Sequence, residues 1–285
     1  MALPLEKLGT TYDETHEVID PERAKAYAAA TNDPNPAYAA GTYAPPVFGV
    51  VPTWGAMGMA VADVVPGDAL MMIVHGDQDM HFHQPLVPGT KITTKATAHS
   101  VRVAGSGTRF TIQVDASDDK GDPVLTEYVT MFIRGMSDGE SGGPDKPQHE
   151  LPDSAKGAVL GTHSVHVDDD QTYRYKEASG DNMPIHVDEG FAKSVGLPGI
   201  IAHGLCTMAM CSQSVIELAA GGDPARIKRL AVRFASNVFP GNDVETTVYG
   251  GPADEAGNTT VYFDAQSNGA AVIKNGLAVI APSAG

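Results

Sequence analysis

The sequence predicts an α+β protein of two similar halves, each an antiparallel sheet wrapped around one central helix. The first observation is a repeated order of elements: a short strand, a helix, a polar loop, a long apolar helix and four strand-like runs. The second is a set of matching residues at one constant offset, in which Tyr27, Ala30, Thr31, Asp33 and Pro36 match Tyr175, Ala178, Ser179, Asp181 and Pro184. The third is that a long apolar helix needs a curved sheet to cover it. Two such copies could pair edge to edge, which would remove exposed strand edges.

The first half, residues 1–135, opens with a short alternating run that predicts a strand. Asp20 as N-cap and Pro21 at the first helical position predict a helix that begins there. Pro52 likewise predicts the start of a long apolar helix, over residues 53–64. Four runs of strand character follow, separated by turns rich in Gly, Pro and Asp: residues 70–82, 91–103, 108–117 and 124–134.

Residues 136–158 are rich in Ser, Gly, Asp, Pro and Gln and are predicted to form a linker. The second half, residues 159–285, then repeats the order. It has a predicted strand over 162–167, a helix over 168–178 and a long apolar helix over about 202–219. Its four further strand-like runs are residues 227–236, 244–249, 259–265 and 270–281.

The charge balance excludes several classes of partner. With 19 Lys and Arg against 35 Asp and Glu, the formal net charge is −16. A nucleic-acid-binding protein needs a basic face, and so does a protein that binds an anionic membrane surface. The chain does not open on a basic region followed by an apolar run, and no stretch approaches the roughly 20 apolar residues of a membrane span. We therefore expect no nucleic acid and no membrane as partner, and a cytoplasmic location.

No metal site is predicted. Cys206 and Cys211 are five residues apart in an apolar helix, which places them on different faces. His81 and His83 share one face of a strand, but no further ligand stands near them in the sequence.

Residues that can carry chemistry concentrate in the second half, between Tyr175 and Met210. A loop carries Asp181 and His186, and a glycine, Gly204, enters the long apolar helix. An acid, an imidazole and a glycine at a helix start are the groups needed to move a proton beside a polarised carbonyl.

The first half lacks most of these groups. Asp33 matches Asp181, but Tyr38 stands at the position of His186. Two valines, residues 50–51, stand where the second half has a His–Gly pair. We therefore expect one complete site per chain, in the second half.

The second half resembles the MaoC-like dehydratases and R-specific enoyl-CoA hydratases of the hotdog fold. Residues 179–186 (SGDNMPIH) and 201–204 (IAHG) carry the resemblance. The family pattern has Asn where this chain has Met183, and an Asn stands one place earlier, at 182. The first half resembles a degenerate second hotdog, so the whole chain is similar to the fused double-hotdog hydratases. This resemblance implies a double hotdog, a homodimer and no cofactor besides the coenzyme A of the substrate.

The resemblance implies the hydration of a trans-2-enoyl-CoA to a (3R)-3-hydroxyacyl-CoA, as in β-oxidation and fatty acid metabolism. We assign His186 as the general base for the attacking water and Asp181 as the group that orients the water and assists proton delivery to C2. The backbone N–H of Gly204, at a helix N-terminus, would donate to the thioester oxygen.

Four further residues are expected to bind the substrate. Asn182 and His203 lie within the motif, and Arg229 and Arg233 belong to the main basic cluster of an acidic chain. This cluster could meet the phosphates of coenzyme A, although a solvated strand face is an equal alternative. The degenerate half is assigned to the acyl tail because of its small and flexible residues, which are Gly49, Gly55, Ala56, Met57, Gly58 and Met59.

Two alternative functions remain open from the sequence. One is a (3R)-3-hydroxyacyl dehydratase that acts on acyl carrier protein in fatty acid synthesis, the same chemistry in reverse. The other is a non-catalytic module that binds acyl thioesters, an interpretation that the departure at Met183 keeps open.

Overall fold

A computed structural model describes residues 2–283, and its elements follow the predicted duplication. The helices are α1 (Pro21–Ala30), α2 (Pro36–Ala39), α3 (Val50–Val64), α4 (Gln171–Ser179), α5 (Glu189–Ser194) and α6 (Gly204–Ala219). The strands of the first half are β1 (Thr15–Val18), β2 (Ile73–Phe82), β3 (Lys91–Ala104), β4 (Gly107–Asp118) and β5 (Pro123–Arg134). Those of the second half are β6 (Val159–His166), β7 (Ile227–Phe234), β8 (Asp243–Ala253), β9 (Thr259–Ser267) and β10 (Ala270–Ile280).

The ten strands form one sheet in the order β1-β3-β4-β5-β2-β7-β10-β9-β8-β6, with antiparallel pairing throughout. The halves meet where β2 pairs with β7, in a register that runs from Asp77↔Arg233 to His81↔Arg229. The α+β class is confirmed, but the two predicted sheets are one continuous sheet. The edge-to-edge pairing satisfies the backbone groups of β2 and β7, which would otherwise be exposed.

Each half of the sheet wraps one long helix. α6 is apolar around its circumference and is buried along most of its length, as such a helix must be. α3 packs on the first half and keeps an exposed side on which Trp54 is 39% exposed. The predicted pair of helix-wrapping units is confirmed, and only the second half encloses its helix fully.

α3 begins three residues before its predicted start at Thr53, so that Pro52 lies within its first turn. Proline is tolerated there because the N–H groups of a first turn have no intrahelical partner. Together with the preceding 3-10 turn, residues 46–64 form a helical stretch of 19 residues with mean hydropathy 1.4. By length and composition alone this stretch could cross a membrane, which corrects the statement that no stretch of the sequence approaches the length of a membrane span. However, 56% of it is buried inside the protein. A core helix passes the same test, so the stretch is only a weak indication of a membrane span.

Two other element boundaries differ from the prediction. Residues 70–72 belong to a 3-10 turn over Gly67–Met72, so β2 starts at Ile73 rather than at Leu70. α4 starts at Gln171 rather than at Asp168, because the backbone N–H of Asp168 is held by the Gln171 side chain in the preceding turn.

The segment predicted as a linker makes ordered contacts with both halves. Gly142 forms a β-bridge with Val101 of β3, and Arg102 donates to the Gly142 carbonyl. Further along, Nδ1 of His149 donates to the carbonyl of Asn275 in β10 at 2.7 Å.

The two halves also meet through α1 and α4. The hydroxyls of Tyr27 and Tyr175 lie 3.1 Å apart, and these residues match each other in the repeat. Arg23 of α1 donates to the carbonyls of Ala178 and Ser179 at the end of α4, at 2.8 Å each. The first half thus holds the end of the helix from which the candidate site loop departs.

Candidate active site

The loop after α4 turns sharply at Gly180. This residue has φ +82°, and a Cβ there would lie 2.8 Å from Nη2 of Arg23. The left-handed backbone conformation therefore favours glycine, and a Cβ would in addition have to displace the end of the Arg23 side chain. Around this turn the Ser179 hydroxyl accepts from the Asp181 N–H, and the Asp181 carboxylate accepts from the Met183 N–H, both at 3.1 Å. These contacts fix the half-buried Asp181 side chain in a tight turn.

His186 ends a 3-10 turn over Pro184–His186 and is only 8% exposed. Its Nδ1 donates to the backbone carbonyl of Ile201 at 2.8 Å. Because a carbonyl only accepts, the proton of the neutral ring lies on Nδ1, and Nε2 keeps its lone pair. Burial lowers the pKa of His186 below its usual value near 6.5, while the Ile201 carbonyl and Asp181 oppose the shift. The ring is thus an unprotonated base at neutral pH.

His203 directly precedes α6 and is 1% exposed. Its Nε2 donates to the backbone carbonyl of Asp181 at 3.2 Å. The ring stacks on His186 with centroids 3.9 Å apart, and it packs against Tyr175 at 4.7 Å. Burial lowers the pKa of His203 to about 3, and the proximity of His186 acts in the same direction. This position does not support the prediction that His203 binds the substrate; the side chain instead supports the loop.

Gly204 is the first residue of α6, where backbone N–H groups have no intrahelical partner and the helix dipole is positive. The side chain of His203, the N-cap residue, makes no hydrogen bond to these N–H groups. A Cβ on Gly204 would lie 3.3 to 3.6 Å from the ring of Phe234, at the end of β7. Glycine therefore avoids a tight contact with the Phe234 ring at the start of α6.

The side chains of Asp181, His186 and His203 each have one atom that could bind a metal ion, and these three atoms lie within 4.8 Å of one another. The spacing would also suit a metal ion. One nitrogen of each imidazole already donates to a backbone carbonyl, which leaves His186 Nε2 and His203 Nδ1.

Three predicted substrate-binding residues lie outside this cluster. Asn182 is exposed, and its amide donates to the Gly180 carbonyl of its own loop. Arg233 is exposed on β7. Arg229 makes a bidentate pair with Asp79 of the first half, at 2.9 and 2.7 Å. This pair corrects the assignment of Arg229 to coenzyme A phosphates, because Asp79 is fully buried and already neutralises the guanidinium.

Sequence reasoning missed several contributors to the site. Arg23 contacts Ser179, which is distant in sequence, and Ile201 contacts His186 through its backbone carbonyl. No sequence pattern indicates either contact. Tyr175 is different, because its match to Tyr27 in the repeat marks a position where the two halves could meet.

The matching region of the first half cannot supply the same chemistry. Tyr38, which matches His186 in the repeat, is 1% exposed and offers a phenol in place of the imidazole. Burial raises the pKa of Asp33 to about 6, against the bond from the Asn35 N–H. The structure therefore places one acid–imidazole pair in the second half and an acid–phenol pair in the first, as the repeat predicts.

A cavity of about 520 Å³ opens in the first half beside the site loop. Arg23 lines this cavity and bonds to the carbonyl of Ser179. Its apolar wall consists of Val18, Phe48, Val51, Pro52 and Ile92. Arg23 is thus the residue through which the cavity wall contacts the start of the site loop.

The fold and the site define a MaoC-like protein of the double-hotdog type. The family described as MaoC like domain matches residues 152–263, and that described as MFE-2 hydratase 2 N-terminal domain matches residues 39–135. The chain therefore carries a MaoC-like domain in its second half and a hydratase 2 N-terminal domain in its first, and the predicted family resemblance and double-hotdog fold are confirmed.

Individual relatives agree with this assignment. The chain is 29% identical over 248 residues to a probable enoyl-CoA hydratase 2 of Dictyostelium discoideum, which covers 82% of each protein. It is 27% identical over 249 residues to the peroxisomal multifunctional enzyme type 2 of Mus musculus, and there it spans 84% of its own length and 32% of the relative. Among solved structures, a MaoC-like dehydratase from Phytophthora capsici superposes with a TM-score of 0.86 at 25% identity, over 98% of each chain.

Proposed function

We propose that this protein adds water to trans-2-enoyl-CoA thioesters and forms (3R)-3-hydroxyacyl-CoA, as an R-specific hydro-lyase. The observation that carries the proposal is the arrangement of His186 and Asp181 beside the start of α6. The Nδ1 bond to the Ile201 carbonyl leaves Nε2 of His186 free to accept a proton. The similarity to an enoyl-CoA hydratase 2 over 82% of the chain supports the same reaction.

In the proposed reaction, Nε2 of His186 takes a proton from water as the water oxygen bonds to C3. The π electrons of the double bond move toward the thioester, whose oxygen gains negative charge. The backbone N–H of Gly204 stabilises that charge, an effect typically worth about 10²–10³ in rate. C2 then takes the proton that Nε2 of His186 removed from the water, with the help of Asp181, so that His186 returns to its neutral form and the thioester carbonyl forms again. If one water supplies both OH and H, the addition is syn.

The reaction moves protons but transfers no electrons between molecules, so its chemistry needs only acid–base and oxyanion groups. Coenzyme A is part of the substrate. Asp181, His186 and Gly204 supply the three functions, and no step is assigned to a further cofactor.

The first half is proposed to bind the acyl tail. Its 520 Å³ cavity lies beside the Arg23 contact with the site loop and has one apolar wall. The small and flexible residues predicted for this role, between Gly49 and Met59, are not among the residues that line this cavity. Faster turnover of enoyl-CoA with long tails than of the four-carbon substrate would support this role, and turnover confined to four carbons would contradict it.

Coenzyme A is favoured over acyl carrier protein as the carrier. The similarity to a probable enoyl-CoA hydratase 2 over 82% of the chain supports this choice, whereas the pairing of Arg229 with buried Asp79 counts equally against a phosphate contact and against a basic patch for a carrier protein. We further propose a homodimer in the cytoplasm; light scattering in solution and cell fractionation test these two points.

The proposed activity is tested by the loss of enoyl absorbance with crotonyl-CoA and with a longer enoyl-CoA. We expect wild type to be active, and Asp181→Asn and His186→Gln each to lose at least 10²-fold in kcat, because general acid–base catalysis contributes that much or more. His166→Gln is the matched control, since His166 is an exposed histidine of the same half that pairs with Asp243. Absence of wild-type turnover at every chain length contradicts the enzyme proposal, and unchanged rates in both variants contradict the residue assignment.

A further inference from the structure

His203 connects three parts of the proposed site. Its Nε2 donates to the backbone carbonyl of Asp181 at 3.2 Å, and its ring stacks on His186 at 3.9 Å. In the chain it is bonded to Gly204, whose N–H is the proposed oxyanion donor. His203 thus contacts both proposed catalytic side-chain residues and is covalently bonded to the third group, Gly204.

The residue type at this position is unusual for a helix N-cap. Ser, Thr, Asp and Asn are preferred there because their side chains accept from first-turn N–H groups, and the loss of such a cap destabilises the helix. The His203 side chain makes no capping bond within the described chain and points to the Asp181 loop instead. The helix start gives up a stabilising cap and keeps its N–H groups free of side-chain acceptors.

The ring also gives up a hydrogen bond. Because Nε2 donates to a carbonyl, Nδ1 of the neutral ring is an acceptor, and it has no protein partner among residues 2–283. A buried acceptor without a partner is destabilising, because it loses its hydrogen bonds to water and gains none in the protein. Phenylalanine would stack on His186 without that cost, so what histidine adds here is the Nε2–H donor to the Asp181 loop.

We propose that His203 is a positioning residue of the hydration reaction: its bond to the Asp181 backbone and its stack on His186 fix both groups relative to the Gly204 N–H. The inference rests on the proposed hydratase function. It assigns to His203 no proton transfer and no contact with substrate. A displacement of about 1 Å in such a constellation can reduce the rate by about 10²-fold.

The test compares two variants that each keep one half of the contact. His203→Phe keeps a ring against His186 and removes the donor, and His203→Gln keeps an amide donor and removes the ring. For His203→Phe we expect kcat on an enoyl-CoA to fall by about 10²-fold with KM within about threefold of wild type, because an interaction that acts on the transition state lowers kcat without weakening ground-state binding. His203→Gln should recover about tenfold of the lost kcat. His166→Phe is the matched control and should keep wild-type constants.

A double variant separates positioning from loss of the fold. If His203 acts on Asp181 through its Nε2–H donor, adding His203→Phe, which keeps a ring and removes that donor, to Asp181→Asn should reduce kcat by less than about threefold beyond Asp181→Asn alone. A full, additive loss overturns the inference. So does an unchanged kcat in His203→Phe, or a rise in KM alone, which would make His203 a substrate-binding residue. Absence of wild-type turnover overturns the hydratase function and this inference with it, whereas wild-type turnover with unchanged variants overturns only the inference.

Discussion

At the scale of single residues, the site depends on backbone carbonyls as much as on side chains. The Ile201 carbonyl selects the Nδ1–H tautomer of His186, and the Asp181 carbonyl selects the Nε2–H tautomer of His203. The sequence indicated Asp181, His186 and Gly204 because acid, imidazole and glycine recur in a motif. It could not indicate these carbonyls, since every residue has one and only the fold brings two of them to the rings.

The acid limb of the pH profile is expected to lie below the usual histidine value. Burial lowers the pKa of His186 below 6.5, so the ring stays an unprotonated base to lower pH than an exposed histidine would. The profile of kcat/KM, which reports the free enzyme, should therefore have the midpoint of its acid limb below pH 6.5. A limb at or above pH 6.5 in wild type would show that the burial of His186 does not control its protonation.

Gly204→Ala is expected to lower kcat/KM by about 10–10²-fold, because the new Cβ presses on the Phe234 ring at 3.3 Å and obstructs the helix N-terminus. Gly58→Ala on α3 is the matched control, since a Cβ there meets no atom within 4 Å. It should leave the kinetics unchanged and raise the melting temperature slightly, as Gly to Ala does in a helix. Equal kinetic effects of the two changes would remove Gly204 from the proposed mechanism.

At the scale of elements, periodicity and turn residues predicted most strands to within a few residues. The larger errors have local causes. Residues 67–72 fold as a 3-10 turn that apolar composition alone cannot distinguish from a strand. α3 starts before Pro52 because proline is tolerated throughout the first helical turn. Arg229 was misassigned because its partner Asp79 lies on a strand of the other half, and only the β2–β7 pairing brings them together.

Where α3 packs on β5, Glu127 should make stability depend on pH. Burial raises its pKa to about 7, against a bond from Thr53, whereas the usual value is 4.5. The folded state therefore favours the protonated carboxyl, and this stabilisation is complete below pH 4.5 and is lost as pH rises toward 7. Glu127→Gln should thus gain stability relative to wild type between pH 5 and pH 8, by at most about 3 kcal/mol.

Urea unfolding at pH 5 and pH 8 measures this difference. Glu245→Gln is the control, because Glu245 is an exposed strand glutamate of the second half. Should the stability difference between Glu127→Gln and wild type be the same at both pH values, the carboxyl does not titrate in the folded protein as described.

At the scale of the whole molecule, the two halves act as one unit because their sheets are continuous. Asp79 of β2 is fully buried at the β2–β7 junction, and burial alone would raise its pKa. Bonds from His81 and Arg229 prevail and lower that pKa to about 2. This ion pair joins the half that holds the cavity to the half that holds the site.

Arg229→Gln is expected to reduce the free energy of unfolding by about 3 kcal/mol, because it leaves a buried carboxylate with only His81 as its partner. KM for enoyl-CoA should stay within about threefold of wild type, since the guanidinium is engaged by Asp79. Asp79→Asn in the same chain should restore part of the stability. Lys274→Gln, on the neighbouring strand and exposed, is the control for loss of a positive charge. A large rise in KM with unchanged stability would reinstate Arg229 as a phosphate-binding residue.

The central claim is that Asp181, His186 and Gly204 hydrate an enoyl thioester with R specificity. The most direct measurement is the chiral analysis of the product formed from a trans-2-enoyl-CoA by wild type, alongside His186→Gln. We expect (3R)-3-hydroxyacyl-CoA from wild type and at least 10²-fold less of it from the variant. A (3S) product, or no product from wild type at any chain length, would contradict the proposed function.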